Sequence, residues 1–159
     1  VTGLFLLGYG GWEMIPVGIA CIIFAFLYTT GPYPLAYHGW GDILVLVFFG
    51  FVPVGCTFYV MAHDWNTSVT MASLACGFVI DTLLMVNNFR DREQDAISGK
   101  KTIVVRLGAR AGLILYFLLG LAACWSCFYF VTEGRLWAAI LPQIYLLFHI
   151  LLTFPHWKY

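Results

Sequence analysis

The feature that most constrains this chain is its succession of apolar runs about twenty residues long, the length an α-helix needs to cross ~30 Å of hydrocarbon. Runs over residues 13–28, 42–62, 68–89, 109–131 and 136–154 each read as a span, and residues 1–8 read as the end of another. Charged residues make up 10% of the 159 and apolar types 62%, whereas a soluble domain is about one quarter charged. The surplus apolar surface needs a lipid bilayer as solvent, so the predicted fold class is an all-α integral membrane bundle of about five full spans plus a partial one.

The breaks between runs carry turn chemistry. Gly8-Tyr9-Gly10-Gly11-Trp12 interrupts the first two, and Thr29-Thr30-Gly31-Pro32-Tyr33-Pro34 ends the next, because proline lacks an amide donor and turns the residue before it away from helix. Pro53 falls inside a span, which membrane helices tolerate when neighbours re-satisfy the released carbonyl. Cys21, Cys56, Cys76, Cys124 and Cys127 all lie in apolar runs and read as small hydrophobes, so no disulfide framework is expected. The spacing of Cys124 and Cys127 is that of a redox or metal pair, but with no second pair nearby it reads as helix packing.

Net charge is zero, which leaves no global field for nucleic acid. The distribution is uneven, however. Counting turns, Arg90, Arg92, Lys100, Lys101, Arg106, Arg110 and Lys158 fall on one side of the membrane and only Arg135 on the other; the positive-inside rule makes the first side cytoplasmic.

Most of the charge sits where the 68–89 run ends, in Asn87-Asn88-Phe89-Arg90-Asp91-Arg92-Glu93-Gln94-Asp95-Ala96-Ile97-Ser98-Gly99-Lys100-Lys101-Thr102. If the helix continues, Asn87, Asp91 and Asp95 fall at i, i+4 and i+8 on one stripe. Such a stripe suits Mg²⁺, which takes one or two carboxylates and fills its shell with water and phosphate oxygens. The cations beyond it, Lys100, Lys101 and Arg106, could neutralise the phosphates of the same ligand. The same residues also read as a solvated, salt-bridged loop. Gly99-Lys100-Lys101-Thr102 is no nucleotide loop, since the upstream glycine and strand of that motif are missing.

The run Asn87-Asn88-Phe89-Arg90-Asp91-x-x-x-Asp95-x-x-x-Gly99-Lys100-Lys101-Thr102, followed by Val105-Arg106-Leu107-Gly108, resembles the second Asp-rich motif of the UbiA superfamily of intramembrane prenyltransferases. Asn87-Asn88 beside Arg90-Asp91 is similar to the branch acting on 1,4-dihydroxy-2-naphthoate. A second likeness, Tyr28 through Asp42, is to that branch's cytoplasmic loop between its fourth and fifth helices. The resemblance implies Mg²⁺ held by Asp91 and Asp95 with Asn87 as a further metal or water contact, and Lys101 and Arg106 as phosphate contacts. Asn88, Arg90, Lys100, Asp81, Tyr28 and Tyr37 are implied as further substrate-binding candidates.

The implied partners are a polyprenyl diphosphate, 1,4-dihydroxy-2-naphthoate and the bilayer, and the implied reaction joins prenyl group to ring with loss of carbon dioxide and diphosphate, giving demethylmenaquinol. The place implied is a bacterial inner membrane. The likeness maps the chain from the end of the third helix through the eighth of nine, as part of a single domain. The family's first Asp-rich motif has no counterpart here, so the chain is expected to start inside a longer protein and to be inactive alone. A transferase using 4-hydroxybenzoate or homogentisate, or a membrane transport or packing protein, are the alternatives.

Asp81, inside a span, is a functional candidate because burying a carboxylate is costly; it reads equally as a hydrogen-bonding partner for a neighbouring helix. Tyr28, Tyr33, Tyr37 and His38 could touch substrate or form an aromatic belt. His63, His149 and His156 are expected at helix ends near the interface.

Overall fold

A computed structural model describes residue 5 and residues 7–156 of the chain. The remaining N-terminal residues of the partial span, and Lys158, lie outside the described residues. A short helix α1 (Leu7–Gly10) leads to α2 (Met14–Thr29), α3 (Gly41–Ala62) and α4 (Thr67–Arg90). Two short helices follow, α5 (Arg92–Ile97) and α6 (Ile103–Leu107), and then the long α7 (Ala109–Thr132) and α8 (Leu136–His156). No strand occurs among the described residues. Four helices, over Gly41–Ala62, Thr67–Arg90, Ala109–Thr132 and Leu136–Thr153, are long and apolar enough to cross a membrane, and α2 is a shorter apolar helix. The protein is a multi-pass membrane helical bundle, as the apolar runs predict.

The long helices pack side by side in the order α3, α4, α7, α8. Large side chains such as Ile22, Phe26, Leu118, Trp125, Phe148 and Leu151 point outward, where lipid takes the place of a core. Between helices small or polar residues, Gly50, Gly77, Ser73, Gly120 and Ser126, are buried beside Val69, Met85, Leu113 and Leu119. Lipid tails are as apolar as leucine, so helices associate in a membrane by close backbone approach and interhelical hydrogen bonds. Gly50 of α3 meets Gly77 of α4 so closely that a Cβ on Gly50 would stand 2.6 Å from the Ser73 carbonyl.

Pro53 leaves its mark on α3, which widens to π-type winding across Leu46–Cys56 and keeps its path through the membrane. At the far end of α3, Trp65 folds back over Gly55 and stacks on Phe51, with ring centroids 6.5 Å apart. Its indole N–H donates to Thr70 Oγ1 at 3.0 Å, and Asn66 Oδ1 caps α4 by accepting from the Val69 amide at 3.0 Å.

His149 departs from its expected interfacial position. It is buried in mid-helix on α8, and Nε2 meets the Tyr116 carbonyl at 2.9 Å. Tyr145 bridges it at 3.3 Å to Thr82 of α4, also at 3.3 Å. Gly120 makes the room, since a Cβ there would fall 2.3 Å from the imidazole. The residue that looked like an anchor at a helix end instead ties three helices together, because a neutral imidazole offers one donor and one acceptor. All five cysteines are free thiols.

Candidate active site

The loops that follow α2 and α4 are built as one unit. The Lys101 amide donates to the Tyr37 carbonyl at 2.8 Å, and Arg106 Nη2 donates to the His38 carbonyl at 3.0 Å. Gly39 permits the approach: its φ is 82°, and a Cβ there would sit 2.9 Å from the Lys101 carbonyl. Inside the first loop His38 Nδ1 bonds the Pro34 carbonyl at 2.9 Å and stacks on Tyr33. In the second, Thr102 Oγ1 accepts from the Val105 amide at 3.3 Å and so starts α6, which carries Arg106. Residues more than sixty positions apart are thereby fixed beside one another at one end of the bundle.

The Asp-rich segment keeps the predicted register across a break. The helix is interrupted at Asp91, whose φ and ψ are −92° and 4°. Yet the Asp91 amide still bonds the Asn87 carbonyl at 2.9 Å and the Asp95 amide bonds the Asp91 carbonyl at 2.8 Å. Asp91 is open to solvent, and Arg90 forks onto it with contacts of 2.7 and 2.9 Å. That guanidinium holds the Asp91 carboxyl below the usual carboxylate range.

Asp95 is buried, and both of its carboxylate oxygens lie 3.3 Å from Lys100 Nζ. The turn that makes this pair is local. Gly99, with φ of 78°, reverses the chain, and the Lys100 amide bonds back to the Asp95 carbonyl at 2.9 Å. Lysine 100 is therefore returned onto the carboxylate five residues before it. Arg92 finishes the helix end, with Nη1 donating to the Phe89 carbonyl at 2.8 Å and the guanidinium 4.8 Å over the Phe89 ring.

No cluster of three or more His, Cys, Asp or Glu fit to hold a metal occurs among the described residues. The donors on offer to a cation are two carboxylates and the Asn87 amide, all oxygen and one helical turn apart. That set matches the hard, incompletely caged coordination of Mg²⁺, and the cationic partners Arg90 and Lys100 match the charge of a diphosphate.

A crevice of about 10 Å³, room for a single water, lies beneath this unit, lined by Tyr28, Gly39, Asp42, Leu84, Asn88, Lys100 and Thr102. Asn88 and Thr102 are buried there. Tyr28 and Leu84 also line an apolar groove of about 520 Å³ between α2, α3 and α4, with Cys21, Phe24, Leu44 and Phe48. Tyr28 thus stands where the crevice meets the groove. Tyr37 is more exposed and contributes its backbone carbonyl to the loop pairing.

Asp81 of α4 is buried, and its Oδ1, like the Oδ1 of Asp42 on the neighbouring α3, is buried without a hydrogen-bond partner. Sequence reasoning singled out Asp81 and missed Asp42, which reads as an ordinary acidic residue in the first turn of a helix. The one available signal was a carboxylate on each of two consecutive apolar spans.

The UbiA prenyltransferase family profile matches residues 1–159. The chain is similar to the 1,4-dihydroxy-2-naphthoate octaprenyltransferase of Haemophilus influenzae, 42% identical over 140 residues, which are 83% of this chain and 46% of that protein. It is 37% identical over 123 residues to the protein of the same name in Escherichia coli, covering 76% of this chain and 40% of the relative. A 2-carboxy-1,4-naphthoquinone phytyltransferase of Synechocystis is 26% identical over 101 residues, 64% of this chain and 33% of the relative. The chain therefore spans less than half the length of these curated relatives. No solved structure matches it.

Proposed function

The chain belongs to the UbiA prenyltransferase family, and from that premise we propose that the intact protein carrying it transfers a polyprenyl group from its diphosphate to 1,4-dihydroxy-2-naphthoate. The observation that carries this reading is the joining of the two loops. The backbone of Lys101 bonds to Tyr37 and Arg106 to the His38 carbonyl, so the loop carrying Lys101 and Arg106 lies against the loop carrying Tyr37 and directly follows the Asp91–Asp95 segment, near the apolar groove that Tyr28 and Leu84 also line. A diphosphate with a long hydrocarbon tail has that same division of charge and apolar length.

In this reading Asp91 and Asp95 hold Mg²⁺, with Asn87 as a further metal or water contact. Bound there, Mg²⁺ would supply Lewis-acid charge to the leaving diphosphate. Lys101 and Arg106 contact phosphate oxygens, Arg90 and Lys100 turn from their carboxylates toward the same charge, and Asn88 donates from the crevice wall. Tyr28 marks the junction of headgroup and tail. The allylic carbon–oxygen bond breaks with its electrons going to diphosphate, and the ring carbon bearing the carboxylate bonds to the allylic carbon and sheds carbon dioxide. Preorganised cations at the developing diphosphate charge lower the barrier to the first event.

By the positive-inside rule, the excess of Arg and Lys on the Asp-rich side supports a cytoplasmic position for that side, and the bacterial relatives support a bacterial inner membrane for the bundle. The test is prenyl transfer by the intact protein in membranes with Mg²⁺, a polyprenyl diphosphate and each of three acceptors, 1,4-dihydroxy-2-naphthoate, 4-hydroxybenzoate and homogentisate. Product with the naphthoate, lost by roughly 100-fold or more in Asp91→Ala and Asp95→Ala at equal abundance, is expected. Product with another acceptor alone overturns the substrate, and no product with any overturns the activity.

A further inference from the structure

Arg92 has no part in the prenyl-transfer reading, yet it borders a second groove. This groove, of about 580 Å³, is walled by Met85, Val86 and Phe89 of α4, Leu113 and Tyr116 of α7 and Leu152 of α8. Arg90 and Arg92, where α4 ends, supply its charge. It is separate from the groove that Tyr28 lines. Leu84 borders that one and Val86 this one, and residues two apart lie about 200° around a helix, so the two grooves open on opposite faces of α4.

The walls suit hydrocarbon. Val86 and Leu152 stand exposed along them, and the bordering Thr153 hydroxyl already donates to the His149 carbonyl at 2.7 Å. Arg92 is different. Its guanidinium lies 4.8 Å over the Phe89 ring, and Nη1 donates to the Phe89 carbonyl at 2.8 Å, which together fix the side chain at the end of the helix. Glu93 approaches Nη2 only to 3.6 Å and from solvent, a surface pair that contributes little. Most of the five guanidinium donors are thus unspent, whereas Arg90 is forked onto Asp91. A fixed guanidinium beside an apolar groove matches a phosphate that carries a hydrocarbon chain.

We infer that this groove binds an anionic phospholipid of the bilayer, with its phosphate on Arg92 and one acyl chain along Val86, Leu113 and Leu152. Basic residues between membrane helices at the cytoplasmic end hold lipid headgroups in this way. A carboxylated ring is the poorer fit, because it would be held across α4 from the groove that takes the prenyl tail. A lipid seated here bridges α4, α7 and α8 beside the Asp-rich segment without entering it.

The test is native mass spectrometry of the intact protein in detergent, titrated with phosphatidylglycerol or with phosphatidylcholine of the same chains. The first phosphatidylglycerol should bind about 5-fold more tightly than the first phosphatidylcholine, and Arg92→Gln should remove that preference. Arg110→Gln takes the same charge from the exposed start of α7, outside the groove, and should keep it. Equal loss in both variants means diffuse attraction and overturns the site. Val86→Trp and Leu152→Trp each fill the groove from an exposed position and should weaken the first phosphatidylglycerol by at least that factor; unchanged binding in both overturns its place there. Equal binding of the two lipids by the unaltered protein overturns the proposal. So does displacement of phosphatidylglycerol by geranylgeranyl diphosphate with Mg²⁺, which would give the groove to the prenyl substrate.

Discussion

Replacing Gly50 by alanine puts one methyl group into the α3–α4 crossing, where the closeness of the two backbones sets the cost. The new Cβ would stand 2.6 Å from the Ser73 carbonyl and 2.9 Å from the Gly77 Cα, both backbone atoms that cannot swing aside. To restore ordinary contact α4 must retreat by about 0.8 Å, and overpacking of that kind costs ~1–3 kcal/mol. Alanine is the better helix former by about 1 kcal/mol, so a net loss would oppose propensity and report packing alone.

The reverse substitution on the partner helix is the control. A Cβ on Gly77 would first meet Leu46 Cδ1, the end of a flexible side chain, at 2.6 Å, and backbone only at 3.1 Å. We expect Gly50→Ala to be destabilised by about 2 kcal/mol and Gly77→Ala by about 1 kcal/mol, measured by denaturing-detergent titration in mixed micelles. Gly50 lies two helical turns from Asp42 and Gly77 about one turn from Asp81, so the wider crossing also disturbs the candidate site's end of the bundle and lowers transfer. Equal stability of Gly50→Ala and the parent, or a greater loss in Gly77→Ala, would refute this account of the crossing.

Gly120→Ala should drive its methyl into the imidazole of His149 and cost about 2 kcal/mol in the same titration, whereas Gly18→Ala, with open space around it, should not destabilise. Gly99→Ala places a Cβ in a left-handed conformation, costing about 1 kcal/mol, and should reduce transfer by more than that cost because it displaces the reversal that positions Lys100. Asn66→Ala removes the cap of α4 and should cost about 1 kcal/mol with transfer per folded molecule unchanged. Because Arg90 holds the Asp91 carboxyl below the ordinary value of 3.8, that side chain stays anionic until acidification passes below this range. Arg90→Gln should therefore move the acid limb of transfer upward in pH, and a limb that stays put would contradict the pairing.

The spans were legible because a twenty-residue apolar run has one stable form in lipid, and the helices begin and end within a few residues of the turn signals. The i, i+4 register of Asn87, Asp91 and Asp95 was legible for the same reason. What it hid was environment: Arg90 follows from sequence adjacency to Asp91, but the burial of Asp95 under Lys100 depends on a reversal at Gly99 that apolar periodicity does not report. Asp42 and His149 were illegible because their surroundings come from other helices. A lone acidic residue at a helix start and a lone histidine near a chain end are ordinary until the packing buries a carboxylate oxygen of one and Gly120 opens for the other.

The central claim is that the Asp-rich loop ionises a polyprenyl diphosphate toward a carboxylated ring. It is tested most directly by following labelled carbon dioxide from carboxyl-labelled 1,4-dihydroxy-2-naphthoate together with released diphosphate, in membranes containing the intact protein or its Asp95→Asn variant. The account predicts one carbon dioxide per diphosphate, dependent on Mg²⁺ and lost in the variant at equal abundance. Diphosphate release without carbon dioxide, or equal release of both from the variant, would contradict it.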